Sequence, residues 1–308
     1  MDYKKMSKSS NSKGITLIEL VVAMFIVGIV SIAIFTAFKS QQRSYLIQDQ
    51  VAEMQQNLRA AMLMTSRDVR MAGFGFGGYV NSIETFNNNP DRVDLIYADA
   101  GVTTSISDTM TSPSSIFKVD STAGFQDGDL IIITDGTSGT LMQITHVSSS
   151  ASTLQHNPSS VVNPPGGHNT FPSPDGYGKG SKIYKLKYVS YDVDSTDPDH
   201  PTMRVDPDGP LGAGAYQPLA DNIEDLQVVI IFVNGNEANT YDDTDGDLTN
   251  DYDDIRSIRI SILARTDRPD PDFNDGQRPA IEDHAGGAPD HYRRRLLSTL
   301  IKVRNLGL

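Results

Sequence analysis

The chain has 308 residues, a formal charge of −13 at pH 7 and no cysteine. A surface that acidic repels phosphate at long range, which excludes a general nucleic-acid-binding role. The missing cysteines exclude both a disulfide staple and a cysteine nucleophile.

The first fourteen residues are polar, with Lys4, Lys5, Lys8 and Lys13 against Asp2. An apolar run follows from Ile15 to Phe38, and its only formal charge is Glu19. About 24 such residues suffice to cross a ~30 Å hydrocarbon layer as one helix. The far flank offers only Lys39 and Arg43, so the positive-inside rule keeps 1–14 in the cytoplasm and sends the rest outward. The apolar region is too long for a conventional secretory signal, and no small-residue cleavage site follows it. A carboxylate inside the bilayer costs at least ~2.5 kcal/mol, so Glu19 needs a partner. Cleavage after Gly14 would supply one, because the new ammonium of Ile15 falls within a turn of Glu19 on its own or a neighbouring chain. The same cut removes four lysines and one aspartate, taking the charge from −13 to −16.

The run Lys13-Gly14-Ile15-Thr16-Leu17-Ile18-Glu19-Leu20 resembles the class III signal of type IV pilins and pseudopilins. The resemblance implies that a prepilin peptidase cuts after Gly14 and methylates the amine of Ile15. It also implies that Glu19, the fifth mature residue, pairs with an N-terminal amine during filament assembly. Two departures from the family pattern are Ile15, where phenylalanine is usual, and the absence of a C-terminal disulfide. The alternative reading of the same stretch is a plain signal anchor with a stray glutamate.

No proline interrupts residues 15 to about 72, which read as one continuous helix. Its second half has apolar or small residues at Ile47, Val51, Met54, Leu58, Ala61 and Thr65, alternating by four and three as one helix face does. The glycines at 73, 75, 77 and 78 should end it. At 1.5 Å per residue about 58 residues would reach ~87 Å, so only the second half can lie on a globular domain. From about residue 79 short apolar runs alternate with turn residues, which favours β structure. Candidate strands are 92–97, 115–119, 129–134, 140–147, 182–193, 226–233, 255–264 and 296–303. Asp135-Gly136-Thr137-Ser138-Gly139 fits a hairpin turn between the third and fourth. Long Pro/Gly-rich connections span 157–180, 195–218 and 266–291, and loops of that length are usually functional or disordered. The expected organisation is α+β: a leader (1–14), a transmembrane half-helix (15–38), an amphipathic half-helix (39–73) and a β-rich globular domain outside the cytoplasm (74–308).

One acidic stretch has the spacing of a cation site. Asp243, Asp245, Asp247, Asp251 and Asp254 occupy positions 1, 3, 5, 9 and 12 of a twelve-residue loop, with the carbonyl of Thr249 at seven. An EF-hand-type calcium loop uses those positions, and Ca²⁺ would relieve the repulsion of the clustered carboxylates. Against it, Leu248 replaces the usual glycine at position six, the twelfth residue is a short aspartate, and no flanking helices are evident. A solvated acidic turn is the competing reading. Gly73-Phe74-Gly75-Phe76-Gly77-Gly78 matches a dinucleotide glycine pattern, but it follows a helix where that fingerprint follows a strand, and reads as a helix stop. His284 and His291 read as solvated loop histidines. Arg293, Arg294 and Arg295 are placed to offset acids such as Asp283 and Asp290, or to pair across a filament interface.

Leu58-Arg59, Ser66-Arg67-Asp68-Val69-Arg70-Met71-Ala72-Gly73-Phe74, Gly128-Asp129-Leu130-Ile131-Ile132, Asp221-Asn222-Ile223-Glu224-Asp225-Leu226 and the closing Arg293-Arg294-Arg295 to Val303-Arg304-Asn305 resemble PilW-like minor pilins. That resemblance implies a non-catalytic subunit that primes pilus assembly and supports motility, adhesion or DNA uptake. The implied partners are the prepilin peptidase, other major and minor pilins through the N-terminal helix, the inner membrane and the assembly platform. Two alternatives stay open: a J-like pseudopilin of type II secretion, and a tethered enzyme or binding domain on a pilin anchor.

Overall fold

In the computed structural model the described residues are 14–76, 78–109, 116–158, 162–163, 176–209, 215–244 and 249–306. One helix, α1 (Leu17–Met71), precedes an almost entirely β remainder. The strands in chain order are β1 (Ile83–Phe86), β2 (Arg92–Ser105), β3 (Ile116–Lys118), β4 (Leu130–Thr134), β5 (Gly139–Gln143), β6 (His146–Ser148), β7 (Thr153–Gln155) and β8 (Lys182–Asp194). They continue with β9 (Thr202–Asp206), β10 (Gln217–Asp221), β11 (Ile223–Phe232), β12 (Glu237–Ala238), β13 (Ile255–Arg265), β14 (Gly276–Gln277), β15 (Pro289–Asp290) and β16 (Arg294–Lys302). The α+β expectation therefore holds. Chain contacts divide the molecule into two units, Met1–Gln50 and Val51–Leu308.

The first unit is the N-terminal part of α1. Every described residue from Gly14 to Leu46 is exposed, including Leu17, Phe25, Ile32 and Phe38. This is the one helix among the described residues that is long and apolar enough to cross a membrane. An apolar surface that extensive is not left facing water; it is made for lipid or for other apolar helices.

In the second unit α1 buries one stripe: Met54, Leu58, Ala61, Met62, Thr65, Ser66 and Val69. The four-three spacing legible in the sequence selects that face. Its opposite face leaves Arg59, Leu63, Met64, Arg67 and Arg70 exposed. The helix ends at Gly73, whose φ of +76° suits a residue without a Cβ. A Cβ there would meet the Asn305 carbonyl oxygen at 2.5 Å. Asn305 in turn donates its Nδ2 to the Arg70 carbonyl at 3.0 Å, satisfying one of the last free acceptors of the helix.

The larger sheet has the order β1-β2-β8-β4-β5, with β9 also on β8 and β10 on β9. A second sheet has the order β12-β11-β13-β16, antiparallel throughout. The main core joins the helix stripe to both, through Leu95 and Tyr191 of the first and Leu226, Ile230, Ile258, Ile260 and Ile301 of the second. A separate core under the three-stranded sheet β3-β7-β6 is built on Phe117, Phe125, Ile131, Ile144, Leu154 and Tyr177. Asp135 accepts the backbone N–H groups of Thr137 and Ser138 at 2.8 Å, which pulls its carboxyl down to about 2 and shapes the expected β4–β5 turn.

Two sequence expectations need correction. The connection 195–218 is not a structureless loop: it carries β9 and the start of β10, which extend the large sheet. The connection 266–291 carries β14 and part of β15, and it lies ordered across the second sheet. Both were missed because proline and glycine signals outweighed short, weakly apolar strands.

Candidate functional site

The start of α1 is a capping box. Thr16 is the N-cap, and its carbonyl accepts the first helical bond from Leu20 N at 3.2 Å. Its hydroxyl accepts the Glu19 N–H at 3.3 Å, and Glu19 Oε2 accepts both the Thr16 N–H (2.9 Å) and the Thr16 hydroxyl (2.8 Å). Reciprocal bonds of this kind satisfy donors that a helix start otherwise leaves open. Among the described residues Glu19 Oε1 has no partner. Gly14 and Ile15, at the predicted cut, are exposed, Ile15 by 80 %. The structure thus brings Thr16 and Glu19 into one turn, with Ile15 just before it, and the spacing Thr-x-x-Glu was the signal for the box.

The acidic loop is only partly visible: Asp245 and Asp247 lie outside the described residues. Asp243 uses Oδ1 to accept the Tyr252 N–H at 2.7 Å, and Oδ2 lies 3.3 Å from Asn81 Nδ2. Asp251 caps a short 3₁₀ turn (Tyr252–Asp254) whose last residue is Asp254, with the Asp254 N–H donated to the Asp251 carbonyl at 3.1 Å, and Thr249 precedes it. Among the described residues no cluster of three acids or histidines is poised for a metal.

Reasoning from sequence did not find the charge network that fastens 266–291 over the outer face of β11 and β13. Asp225 on β11 is fully buried, with Arg278 Nη2 at 2.6 Å and His284 Nδ1 at 2.9 Å from its Oδ2. His284 is therefore a half-buried partner of a buried acid, a correction to the solvated loop histidine expected. Burial raises the Asp225 carboxyl above the usual range, while His284 and Arg278 oppose the shift. Arg259 on β13 bridges Glu237 and Glu282. Arg294 bridges Glu224 and Asp290 at 2.6 Å each, and Arg293 holds Asp270. The arginine run does offset local acids, Asp290 among them; Asp283 instead accepts from Asn239 Nδ2. The bidentate geometry of arginine suits such clamps.

Comparison with known families gives two matches. Residues 9–35 match the prokaryotic N-terminal methylation motif, and residues 188–305 match the type IV pilus-assembly protein W family, PilW. These matches support a PilW-like minor pilin. The second match runs from β8 to Asn305 and so includes both the charge-clamped strap and the asparagine that caps the helix. No curated protein matches this chain. Among solved structures it is similar to a type IV-like pilin from Thermus thermophilus, at 9 % identity and a TM-score of 0.39, over 82 % of this chain and 96 % of that one. The family is structural rather than enzymatic, and its methylation motif implies processing by a prepilin peptidase and assembly with other pilins.

Proposed function

We propose that this minor pilin is cut after Gly14, methylated on Ile15 and held in the inner membrane as a single-pass subunit before it enters the pilus, where it primes assembly in support of motility, adhesion or DNA uptake. The supporting observation is the state of Glu19. Its Oε2 is taken up by Thr16 of the same chain, while Oε1 is left to accept an N-terminal ammonium, its own or a neighbour's. An unpaired carboxylate in lipid is costly, so side-by-side burial of the apolar helices favours an arrangement that supplies that amine.

Glu19→Ala tests this reading. The substitution removes the box, a loss on the order of 1 kcal/mol at one end of a long helix, so the anchor should survive. The expected result is a processed, membrane-bound protein that falls at least ~10-fold in sheared filaments, a deficit equivalent to ~1.4 kcal/mol. Filament occupancy equal to wild type contradicts the assembly role of Glu19.

A further inference from the structure

The outer edge of β8 is paired at both ends and open in the middle. β4 pairs with Lys182–Lys185 and β9 with Ser190–Asp194, both on the side away from β2. Among the described residues no strand pairs with Leu186, Lys187, Tyr188 or Val189 on that side. The backbone direction there follows from β2. Ile96 donates its N–H to Ser82 and accepts from Gly73 N, and Ala98 donates to Phe74, so both residues turn away from β8. Their register partners are Tyr188 and Leu186. In an antiparallel ladder such pairs are the non-hydrogen-bonded ones, so Leu186 and Tyr188 aim their N–H and C=O groups away from β2 and into the gap.

A cleft of about 1040 Å³ opens at this gap, lined by Leu186–Val189 together with Gly128–Leu130 on one side and Val205, Pro207 and Asp208 on the other. The four open residues span about 13 Å at the strand rise, room for three or four residues of extended chain. Met64, Tyr97 and Val189 give the cleft an apolar wall. Its charge is net acidic: Asp68, Asp99, Asp127, Asp129 and Asp208 face Arg67, Lys185 and Lys187. Lys185 is already held by Asp129 at 2.8 Å, and Lys187 lies 3.9 Å from Asp99.

We propose that this gap is a strand-docking slot that accepts an extended apolar–basic segment of a neighbouring, different pilin subunit. The two backbone donors and two acceptors that have no strand partner among the described residues call for extended backbone, the mode by which sheets add a strand from a partner. The acidic rim calls for a lysine or arginine on that segment. A second copy of this chain, at −13, is a poor electrostatic match, which favours a different pilin. The slot rests on the assembly role proposed above but makes no use of Glu19.

The test is hydrogen–deuterium exchange at single-residue resolution on the full processed pilin, in detergent and in sheared filaments. The expected result is fast exchange at the Leu186 and Tyr188 amides in detergent and exchange at least ~100-fold slower in filaments. Lys187 and Val189, which face β2, should be slow in both. Asp208→Lys, an exposed rim residue, should lower filament occupancy about tenfold without moving Tm. Fast exchange at both amides in filaments that contain the pilin, or protection already present in detergent because the pilin's own chain fills the gap, overturns the slot and leaves the assembly role standing. Absence of the wild-type pilin from filaments overturns both.

Discussion

At the residue scale, Glu19 closes its own helix start through Oε2, and the assembly role proposed above asks Oε1 to accept an amine. Asp91 shows a buried carboxylate used as a joint. It is 2 % exposed, accepts the Val228 N–H at 2.8 Å and the Asn88 N–H at 3.1 Å, and its own N–H bonds the Leu226 carbonyl, tying the start of β2 to β11 of the other sheet. Burial pushes its carboxyl up from 3.8 to about 6, with Asp283 and Asp225 adding to the rise and the two N–H bonds opposing it. A raised folded-state pKa means the native protein holds the proton more tightly than the unfolded chain. The resulting stabilisation is fully present below pH 4 and is lost as pH rises through about 6, a change of about 3 kcal/mol. Denaturant unfolding across pH 4 to 7 should show wild type losing that amount relative to Asp91→Asn. Superimposable pH profiles for the two proteins would contradict it.

At the element scale, the strap 266–291 and the end of α1 show how long connections are held without a disulfide. Charge clamps to Asp225, Arg259 and Arg294 fix the strap on the second sheet, and Asn305 closes the helix end. Removing one side of a buried pair leaves the other uncompensated. Arg278→Ala should therefore cost about 3 kcal/mol in chemical denaturation of the full chain, because Asp225 is fully buried. A cost under about 1 kcal/mol would show that His284 and Gln227 satisfy the acid without the arginine. Much of this scale was legible in sequence. The helix, its buried stripe and its stop at Gly73 follow from periodicity and from glycine, because local rules govern them. Six of the eight candidate strands coincide broadly with β2, β3, β4, β8, β13 and β16; the run 226–233 begins three residues earlier, as β11, and 140–147 divides into β5 and β6. The strands β9 and β10 were not legible, since their pairing is decided by β8 far away in the chain. The strap clamp was hidden for the same reason: Asp225 and Arg278 are 53 residues apart, and nothing local marks them as partners.

At the scale of the whole molecule, two units answer two demands. One is an apolar helix whose described residues from Gly14 to Leu46 are exposed; the other is a β-rich body with its own cores. The signal Gly14-Ile15-Thr16-Leu17-Ile18-Glu19 was legible because processing reads a short linear motif, whereas the β8 slot exists only once three strands meet. The most direct test of the account is mass spectrometry of the N-terminal peptide from sheared surface filaments and from membranes. The account predicts a peptide beginning at N-methylated Ile15 in the sheared filaments. An intact leader in both fractions would contradict it and leave the helix an ordinary anchor.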